Sequence, residues 1–352
     1  MDQQYTRRLE SIEAVLDRWL PENPGSGWAA QIFPGSTHYP LPTTHYISLT
    51  APGRDLLSRG GKRWRPLLMT LVCEALGGTE AALPLAPLVE FCHNASLIHD
   101  DIEDNSDERR GRPAVHIIHG VDAAINSGSF LYFLPLACID SWAADLETKG
   151  ILSSAAAGSC RARVYALWGE YMRKLHLGQA IDIHWHRYFE PIPSIEEYRA
   201  MCALKTGCLA RFAAELGAAA AEIVNAAIPP RRFGEAAEKL GIGFQILDDV
   251  KNLTTGLPGK KRGDDVAEGK KSLPVLLYLQ QRPEEKAMVK RCFDAARSGG
   301  VTVPQVAELI QAFLESGVLG EAEEQGKILI AEARAVFAEG SELLSGLIEQ
   351  IV

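Results

Sequence analysis

The sequence predicts an all-α fold, a large single-domain bundle of ten or more helices. From Leu56 onward, alanine- and leucine-rich segments repeat their apolar residues with a period near 3.6, and glycine or proline stands at the breaks. A capping-box pattern, Ser194 followed by Glu197, marks the start of one such helix. No stretch shows a convincing strand pattern, and no linker divides the 352 residues, 47% of which are hydrophobic. These observations predict one helical core.

The N-terminal segment differs from the rest of the chain. An apolar stripe at helical spacing runs through residues 1–20, and residues 21–42 are rich in Pro, Gly, Ser and Thr, which favours a loop. We therefore expect residues 1–45 to form an N-terminal extension and residues 46–352 to form the main all-α domain. The sequence leaves open whether the extension caps the bundle or joins a neighbouring subunit.

Composition excludes several classes of function. The net charge of −9 argues against nucleic acid as the main partner, because that role needs a basic face. No apolar run is long enough to span a bilayer, and the N-terminus shows no secretory signal. Seven cysteines, odd in number and scattered, show no metal-type spacing and fit a reducing compartment. We expect a cytoplasmic protein without stable membrane insertion.

The nine residues that begin at Asp100 contain six acidic side chains. On a helix, Asp100 and Asp104 lie one turn apart on one face, with Asp101 beside them. Mg²⁺ binds such carboxylates together with phosphate oxygens, and the following Arg109 and Arg110 offer planar donors for more phosphate. Like charges at this spacing cost only about 0.2–0.5 kcal/mol per exposed pair. Taken alone, this stretch is therefore compatible with either a solvated acidic surface or a diphosphate site.

A second acidic stretch lies far downstream. Gln245, Asp248 and Asn252 fall on one helical stripe with Asp249 at its side, among apolar neighbours typical of a packed helix. Carboxylates in such surroundings need a partner, because an uncompensated buried charge is unfavourable. Glycine-containing segments follow and carry cations suited to phosphate, among them Lys260, Lys261, Lys270 and Lys271. A chain that contains two acidic helices, each followed by cations, is rarer than a chain that contains only one of them.

Three further positions have polar side chains that suit either a substrate contact or a structural role. The segment from Gly60 to Pro66 places three cations in a glycine-led turn before a helix, either as a phosphate site or as a solvated basic loop. His93 shares a helical face with Asp100 two turns away, which suits either a structural histidine or a phosphate contact. Lys205 interrupts an apolar helix and needs an acceptor, either a substrate charge or a helix carbonyl.

Together these residues resemble the trans-isoprenyl diphosphate synthases, the polyprenyl synthetase family, and within it the geranylgeranyl diphosphate synthases of fungi and animals. The resemblance covers residues 55–275, and Asn252 stands where many members have an aspartate, as in the geranylgeranyl branch. It implies an isoprenoid-synthase-like fold with a central active-site cavity. The matching motifs are Asp100-Asp101-Ile102-Glu103-Asp104, Asp248-Asp249-Val250-Lys251-Asn252, Gly61-Lys62-Arg63-Trp64-Arg65-Pro66, Arg109-Arg110, Lys205-Thr206 and Phe244-Gln245.

The resemblance also implies a role for each motif residue in a Mg²⁺-dependent condensation of isopentenyl diphosphate with an allylic diphosphate. The isopentenyl diphosphate would be bound by Lys62, Arg65, His93 and Arg110. Three Mg²⁺ ions, which Mn²⁺ can replace, would be bound by Asp100, Asp101, Asp104 and Asp248. The allylic diphosphate would be bound by Arg109, Lys205, Thr206, Gln245, Lys260 and Lys270, with Asp249 and Asn252 in support. The catalytic set would be Asp100, Asp104, Asp248, Lys205, Thr206 and Gln245.

Product length follows from the apolar face beneath Asp100. Small residues at Ala95 and Ser96 leave the path of the growing chain open, whereas farnesyl synthases, by resemblance, place aromatic rings there. The resemblance implies that Tyr132, Phe133 and His176 are candidates for the floor, because they match the positions that limit chain length in the family. We therefore expect a C20 product, geranylgeranyl diphosphate, and the resemblance also implies a homodimer. Farnesyl or longer products, a class I terpene cyclase and a non-catalytic regulatory subunit are the alternatives.

Overall fold

The computed structural model describes residues 3–35, 41–224, 231–256 and 261–351. Within these ranges the chain forms eighteen α-helices and one hairpin of two-residue strands, which confirms the all-α prediction. The hairpin was not predicted, because strands this short cannot show an alternating pattern. The helix start predicted at Ser194 is also confirmed: Glu197 N donates to Ser194 Oγ over 3.1 Å, and Ser194 N donates to the Glu197 carboxylate over 2.7 Å.

The helices and strands occur along the chain in the following order. The first ten are α1 Gln3–Trp19, α2 Ser26–Ile32, α3 Thr43–Ser58, α4 Trp64–Ala75, α5 Ala86–Glu103, β1 Glu108–Arg109, β2 Arg112–Pro113, α6 Val115–His119, α7 Val121–Phe133 and α8 Leu136–Thr148. The remainder are α9 Ser154–Arg187, α10 Ile195–Cys202, α11 Cys208–Ala221, α12 Arg231–Thr254, α13 Asp264–Glu268, α14 Leu273–Gln281, α15 Lys286–Gly299, α16 Pro304–Ser316, α17 Val318–Ala338 and α18 Glu342–Ile351. Single turns of other helix types are Leu83–Leu85 and Pro283–Glu285 (both 3₁₀) and Ala203–Gly207 (π).

Contacts divide the chain into two compact units. The first unit comprises Met1–Glu170, Phe212–Gly234 and Gly340–Ile351, and the second comprises Tyr171–Arg211 and Glu235–Glu339. Three helices, α9, α11 and α12, have residues in both units. None of the boundaries between these segments falls near residue 45, so the predicted division into an extension and a main domain stays a prediction.

The first unit is built around α5. Eleven of its eighteen residues are buried, and it packs against α1, α3, α4 and α7. The N-terminal helix α1 belongs to this core, since Ile12 and Leu16 are completely buried and Arg8 pairs with Glu74 over 2.6 Å. The apolar stripe predicted in residues 1–20 is therefore the face of α1 that covers α4 and α5.

The second unit has its own apolar core. The helix α14 is buried along nearly its whole length and packs against α10, α16 and α17. Tyr278 meets Phe313 edge to face with ring centroids 5.1 Å apart. The apolar residues Ile246, Val250 and Leu253 of α12 join this core. The packed side of α12 thereby determines which of its polar residues remain accessible.

One stretch, Val121–Thr148, is long and apolar enough to cross a membrane by length and composition, with a mean hydropathy of 1.2. No such stretch was expected from the sequence. Half of its most apolar 18-residue window is buried inside the protein, and a turn at Leu134 and Pro135 separates α7 from α8. Because core helices of soluble proteins pass the same test, this stretch is weak evidence for a membrane span.

All seven cysteines are free, and six of them are buried. Burial raises the pKa of Cys73 and of Cys292 to about 11, so both thiols stay protonated at neutral pH. They behave as small apolar side chains, which agrees with the reduced state that the sequence predicted.

A close helix crossing in the first unit provides a test of the packing. A Cβ on Gly217 of α11 would overlap the carbonyl oxygen of Met69 and lie 3.2 Å from the backbone nitrogen of Cys73. We expect Gly217→Ala to lower the free energy of unfolding by about 1–3 kcal/mol. Gly158→Ala is the matched control, because that helical glycine has open space around it and alanine there should stabilise by up to about 1 kcal/mol. Equal denaturation midpoints for the two variants would contradict this packing.

Candidate active site

The end of α5 presents the first acidic cluster. Asp104 closes the helix, and its backbone N–H still donates to the carbonyl of Asp100 over 2.9 Å. Asn105 then takes a left-handed conformation with φ of 52°, and Ser106 N donates to the carbonyl of Asp101 over 2.8 Å. This is a Schellman-type ending with asparagine in the position that glycine usually takes. It keeps Asp100 and Asp104 one turn apart on one face, as the sequence predicted.

Asp101 points inward, unlike its neighbours. It is completely buried, and its Oδ1 accepts hydrogen bonds from both Nε (2.8 Å) and Nη2 of Arg109. Burial raises the pKa of Asp101, and the Arg109 guanidinium opposes that rise. Arg109 also lies 3.6 Å from the carboxylate of Asp100, whose side chain is 19% exposed. Asp101 therefore fixes Arg109, and Asp100 is the more accessible carboxylate.

The hairpin after α5 carries both arginines. Arg109 pairs with Arg112 across it, and the turn between them contains Arg110 at φ of 54° and Gly111 at φ of 73°. Two successive positive φ angles are typical of the tight turns that match the twist of a hairpin. Arg59, which directly follows α3, donates to the carbonyl of Arg109 over 2.9 Å and holds the hairpin against the first unit. The hairpin thus gives the two arginines different directions.

Arg65 and His93 lie together in the first unit. The Arg65 Nη1 atom is 3.3 Å from His93 Nε2, and its guanidinium stands 4.4 Å from the centre of the Trp64 ring. Burial lowers the pKa of His93 well below its usual value, and Arg65 and Arg110 lower it further. A neutral imidazole beside a guanidinium can accept or donate a hydrogen bond without adding charge.

Lys62 and Arg110, also predicted to bind isopentenyl diphosphate, contact backbone carbonyls. Lys62 Nζ donates to the carbonyl of Ile351 in α18, and Arg110 Nη1 donates to the carbonyl of Gly60. Arg110 also lies 3.4 Å from the side-chain oxygen of Asn94. Burial lowers the pKa of Arg110 to about 10, so it remains protonated at neutral pH. Both cations belong to the same unit as Arg65 and His93.

The residues beneath Asp100 are small, as the sequence showed. Ala95 is completely buried, and Ser96 is half-buried with its hydroxyl donating to the carbonyl of His93 over 2.8 Å. The Ser96 hydroxyl is satisfied by its own helix, so the polar group does not obstruct an apolar path along α5.

The three residues predicted as the floor differ in exposure. Tyr132 is 9% exposed and its ring stacks on His99 with centroids 5.8 Å apart. Phe133 is 59% exposed, so burial favours Tyr132 over Phe133 as part of the floor, and the assignment of both stays a prediction. Adjacent residues on a helix point about a quarter turn apart, which explains the difference. His176 lies in the second unit, with Nδ1 2.8 Å from the carbonyl of Met172.

The second acidic cluster, on α12, divides in the same way as the first. Asp248 is exposed, whereas Asp249 is 4% exposed and Asn252 is 1% exposed. Asp249 accepts hydrogen bonds from Tyr198 Oη over 2.7 Å and from Gln245 Nε2 over 2.9 Å. Burial raises the pKa of Asp249 to about 7, with a contribution from nearby acidic charge. Asp248 is accessible, and Asp249 is an internal acceptor.

Lys205 and Thr206 lie on a single π-helical turn, Ala203–Gly207, between α10 and α11. Such turns often occur at functional sites, because the extra residue moves side chains out of helical register. Thr206 Oγ1 donates to Gln245 Oε1 over 2.8 Å. These two oxygen-bearing side chains, which the resemblance assigns to the same allylic diphosphate site, are therefore in direct contact.

Lys205 has a carboxylate as its acceptor. Its Nζ donates to Asp182 Oδ2, and His186 Nε2 lies 2.8 Å from the other carboxylate oxygen. Burial alone would raise the pKa of Asp182, but Lys205 and His186 outweigh it and hold that pKa well below its usual value. From the sequence, a substrate charge or a helix carbonyl was expected as the acceptor, and Asp182 was not predicted. A carboxylate between Ile181 and Ile183 was the available signal.

The lysines after α12 have distinct surroundings. Lys270 Nζ lies 2.5 Å from Glu268 and 3.3 Å from Asp265, and Lys271 Nζ donates to the carbonyl of Tyr188 over 2.7 Å. Lys260 lies outside the described residues. A cavity of 30 Å³ in the second unit is lined by Asp182, Tyr198, Met201, Lys205, Gln245, Asp249, Lys270, Lys271 and Ser272.

The acidic residues fit a metal that is shared with a phosphate. Across the described ranges, no three His, Cys, Asp or Glu side chains converge on a point where they could hold an ion by themselves. The buried Oδ2 of Asp101 has no hydrogen-bond partner among the described residues. Mg²⁺ commonly binds one or two carboxylates plus waters and substrate phosphates. The accessible carboxylates of Asp100 and Asp248 are suited to this kind of site.

Comparison with known proteins identifies the family. The polyprenyl synthetase family model matches residues 47–310, well over half of the chain. This chain belongs to the polyprenyl synthetase family. As a member it is a prenyltransferase that makes trans-prenyl diphosphates, and the resemblance found in its motifs is confirmed.

Relatives of this polyprenyl synthetase span several product classes. A geranylfarnesyl diphosphate synthase from Aeropyrum pernix is 32% identical over 86% of this chain and 93% of its own length. A geranylgeranyl pyrophosphate synthase from Epichloe festucae is 30% identical over 86% of this chain and 84% of its own.

Solved structures share the fold. The geranylgeranyl pyrophosphate synthetase of Pyrococcus horikoshii superposes with a TM-score of 0.76 at 26% identity, covering 98% of this chain and 97% of its own. A polyprenyl synthase of Caulobacter crescentus, complexed with calcium and isoprenyl diphosphate, superposes with a TM-score of 0.73 at 23% identity, covering 98% of this chain and 95% of its own.

Proposed function

We propose that this polyprenyl synthetase condenses isopentenyl diphosphate with an allylic diphosphate (dimethylallyl, geranyl or farnesyl) to give geranylgeranyl diphosphate. The observation that carries the proposal is the end of α5, where the accessible Asp100 stands one turn from Asp104 and beside the buried pair of Asp101 and Arg109. The small Ala95 beneath it favours a product longer than farnesyl. The Epichloe and Pyrococcus relatives carry geranylgeranyl names.

We assign Asp100, Asp104 and Asp248 to Mg²⁺, with Asp101 as an inner support. We expect three ions when substrate is bound, and Mn²⁺ should substitute for Mg²⁺. The calcium found with isoprenyl diphosphate in the Caulobacter neighbour supports an oxygen-bound divalent cation. When bound, the metal neutralises charge that develops on the departing diphosphate.

The cations of the first unit suit two different diphosphates. Lys62, Arg65, His93 and Arg110 would bind isopentenyl diphosphate, because Arg65 and His93 already form one polar group. Arg109, anchored on Asp101, would bind the allylic diphosphate together with Lys205, Lys260 and Lys270. Bidentate arginine contacts fix the orientation of a diphosphate as well as its charge.

The polar side chains of the second unit would protect the reacting carbons. After the allylic C–O bond breaks, the resulting carbocation survives only where water is excluded and oxygen dipoles face it. The hydrogen-bonded pair of Thr206 and Gln245 offers such oxygens. The isopentenyl double bond then attacks the cation, and the proton that is lost passes to the released diphosphate. This sequence needs no protein nucleophile.

A geranylfarnesyl (C25) product is the second candidate, because the Aeropyrum relative of that name aligns over most of both chains. A terpene cyclase would have no second diphosphate for Arg65 and His93 to bind. A homodimer, a cytoplasmic location and the absence of membrane insertion complete the proposal.

The reaction class can be tested by omitting each component in turn. With isopentenyl and farnesyl diphosphates and Mg²⁺, we expect diphosphate release that EDTA abolishes and excess Mg²⁺ restores, because carboxylates alone cannot neutralise the leaving group. The released diphosphate is measured by converting it to phosphate and detecting the phosphate. Release from farnesyl diphosphate alone would contradict condensation and favour a cyclase.

A further inference from the structure

Arg63 differs from the other two cations of its motif. Lys62 is exposed and Arg65 is half-buried, but the side chain of Arg63 is only 2% exposed. The backbone of Arg63 is left-handed, with φ of 46°, immediately before α4 begins. A non-glycine residue in this conformation is uncommon and must be held by its surroundings. The guanidinium of Arg63 therefore points into the protein.

The interior contacts of Arg63 use nearly all its donors. Its Nε donates to Glu13 over 2.7 Å, and its Nη1 donates to Glu90 over 2.8 Å. Nη1 and Nη2 also reach the carbonyls of Gly60 (3.1 Å) and Leu57 (2.6 Å). Although burial lowers the pKa of Arg63, Glu90 and Glu13 raise it above its usual value. Two carboxylates and two carbonyls thus fix this side chain.

The same network reaches Arg110. The Glu90 carboxylate also accepts from Asn94 Nδ2 over 2.9 Å, and the Asn94 oxygen lies 3.4 Å from Arg110. Arg63 and Arg110 share the carbonyl of Gly60 as acceptor. A Cβ on Gly61 would lie 3.2 Å from each guanidinium, so the two flank the backbone there. The loop that presents Lys62 and the start of α4 that presents Arg65 are held from inside by these contacts.

Glu13 connects this loop to the N-terminal helix. It lies on α1, which precedes the residues matched by the family model. The helix is anchored independently, because Arg8 pairs with Glu74 and Ile12 is completely buried. The side chain of Glu13 is 42% exposed, so substitution there leaves no cavity.

We propose that Glu13 is a positioning residue for isopentenyl diphosphate: through Arg63 it holds Gly60–Arg65 and Arg110 in the arrangement that binds the diphosphate. This inference rests on the proposed function. Preorganised groups bind more tightly because less ordering remains at the moment of binding. Removing the negative charge of Glu13 also weakens its repulsion of the diphosphate anion. That effect would tighten binding of isopentenyl diphosphate, whereas loss of positioning would weaken it.

Glu13→Gln tests the inference because it removes the charge and keeps the shape. We expect KM for isopentenyl diphosphate to rise roughly tenfold while KM for farnesyl diphosphate and kcat change by less than about twofold. Glu10→Gln, an exposed site on the same helix, should change neither KM. In the Arg63→Lys background, Glu13→Gln should add much less than it does alone, because both act through one contact.

These measurements distinguish a failure of the Glu13 inference from a failure of the proposed function. An active wild-type enzyme whose KM for isopentenyl diphosphate is unchanged or lowered by Glu13→Gln would overturn the inference alone. Equal rises in both KM values, or the same rise in Glu10→Gln, would also overturn it, because they indicate a general structural effect. A wild-type chain without condensation would overturn the proposed function and this inference with it.

Discussion

Asp100→Asn is expected to reduce the rate of condensation by at least about 10²–10³-fold, with little change in the melting temperature. Electrostatic groups that stabilise developing charge are commonly worth this much each. Asparagine has nearly the same size and shape as aspartate, so the substitution leaves no cavity at this side chain, which is 19% exposed. Arg109, which lies 3.6 Å from it, keeps both of its hydrogen bonds to Asp101. Loss of activity would therefore report on metal and diphosphate binding.

Asp248→Asn should have an effect of the same order, because Asp248 is the exposed carboxylate of the second cluster. Single-turnover assays over a range of Mg²⁺ concentrations would show whether more metal restores part of the rate. The control is Asp107→Asn, which removes an exposed acidic charge from the same segment as Asp100. Full activity in either Asp100→Asn or Asp248→Asn, with the control unchanged, would remove that residue from the metal site.

The sequence predicted the parts of the fold that depend on local pattern. Helical periodicity placed Asp100 and Asp104 on one face and grouped Gln245 with the second acidic cluster, and both placements agree with the structure. The Ser194 capping box also marked its helix correctly. These features depend on residues within one or two turns of each other, and the pattern contains that information.

Partners that are distant in sequence could not be predicted in the same way. Periodicity indicates that Lys205 needs an acceptor, but Asp182 becomes that acceptor only when two helices pack together. The motif around Arg63 resembled a set of equivalent cations, and only the fold shows that this side chain points inward toward Glu13 and Glu90. Tertiary packing decides which of several polar residues becomes buried.

Product length is the second property for which we expect a large effect. In Tyr132→Ala, the main product should shift from C20 to C25 or longer, because the ring of Tyr132 is nearly buried and stacks on His99 beside the face of α5. Each methylene buried by a longer chain contributes about 0.8 kcal/mol, whereas forcing it against a dense core costs about 1–3 kcal/mol. Removing the ring reverses that balance. Chromatography of the dephosphorylated products measures the shift.

Phe133→Ala is a closely matched control for Tyr132→Ala. Phe133 is also aromatic and adjacent in sequence, but it is 59% exposed, so Phe133→Ala should leave the product at C20. Ala95→Phe should act in the opposite direction and shorten the product, because it adds a ring to a completely buried position on α5. If Phe133→Ala lengthened the prenyl product and Tyr132→Ala did not, the growing prenyl group would have to follow the outer side of α7. The assignment of Tyr132 as the barrier would then be wrong.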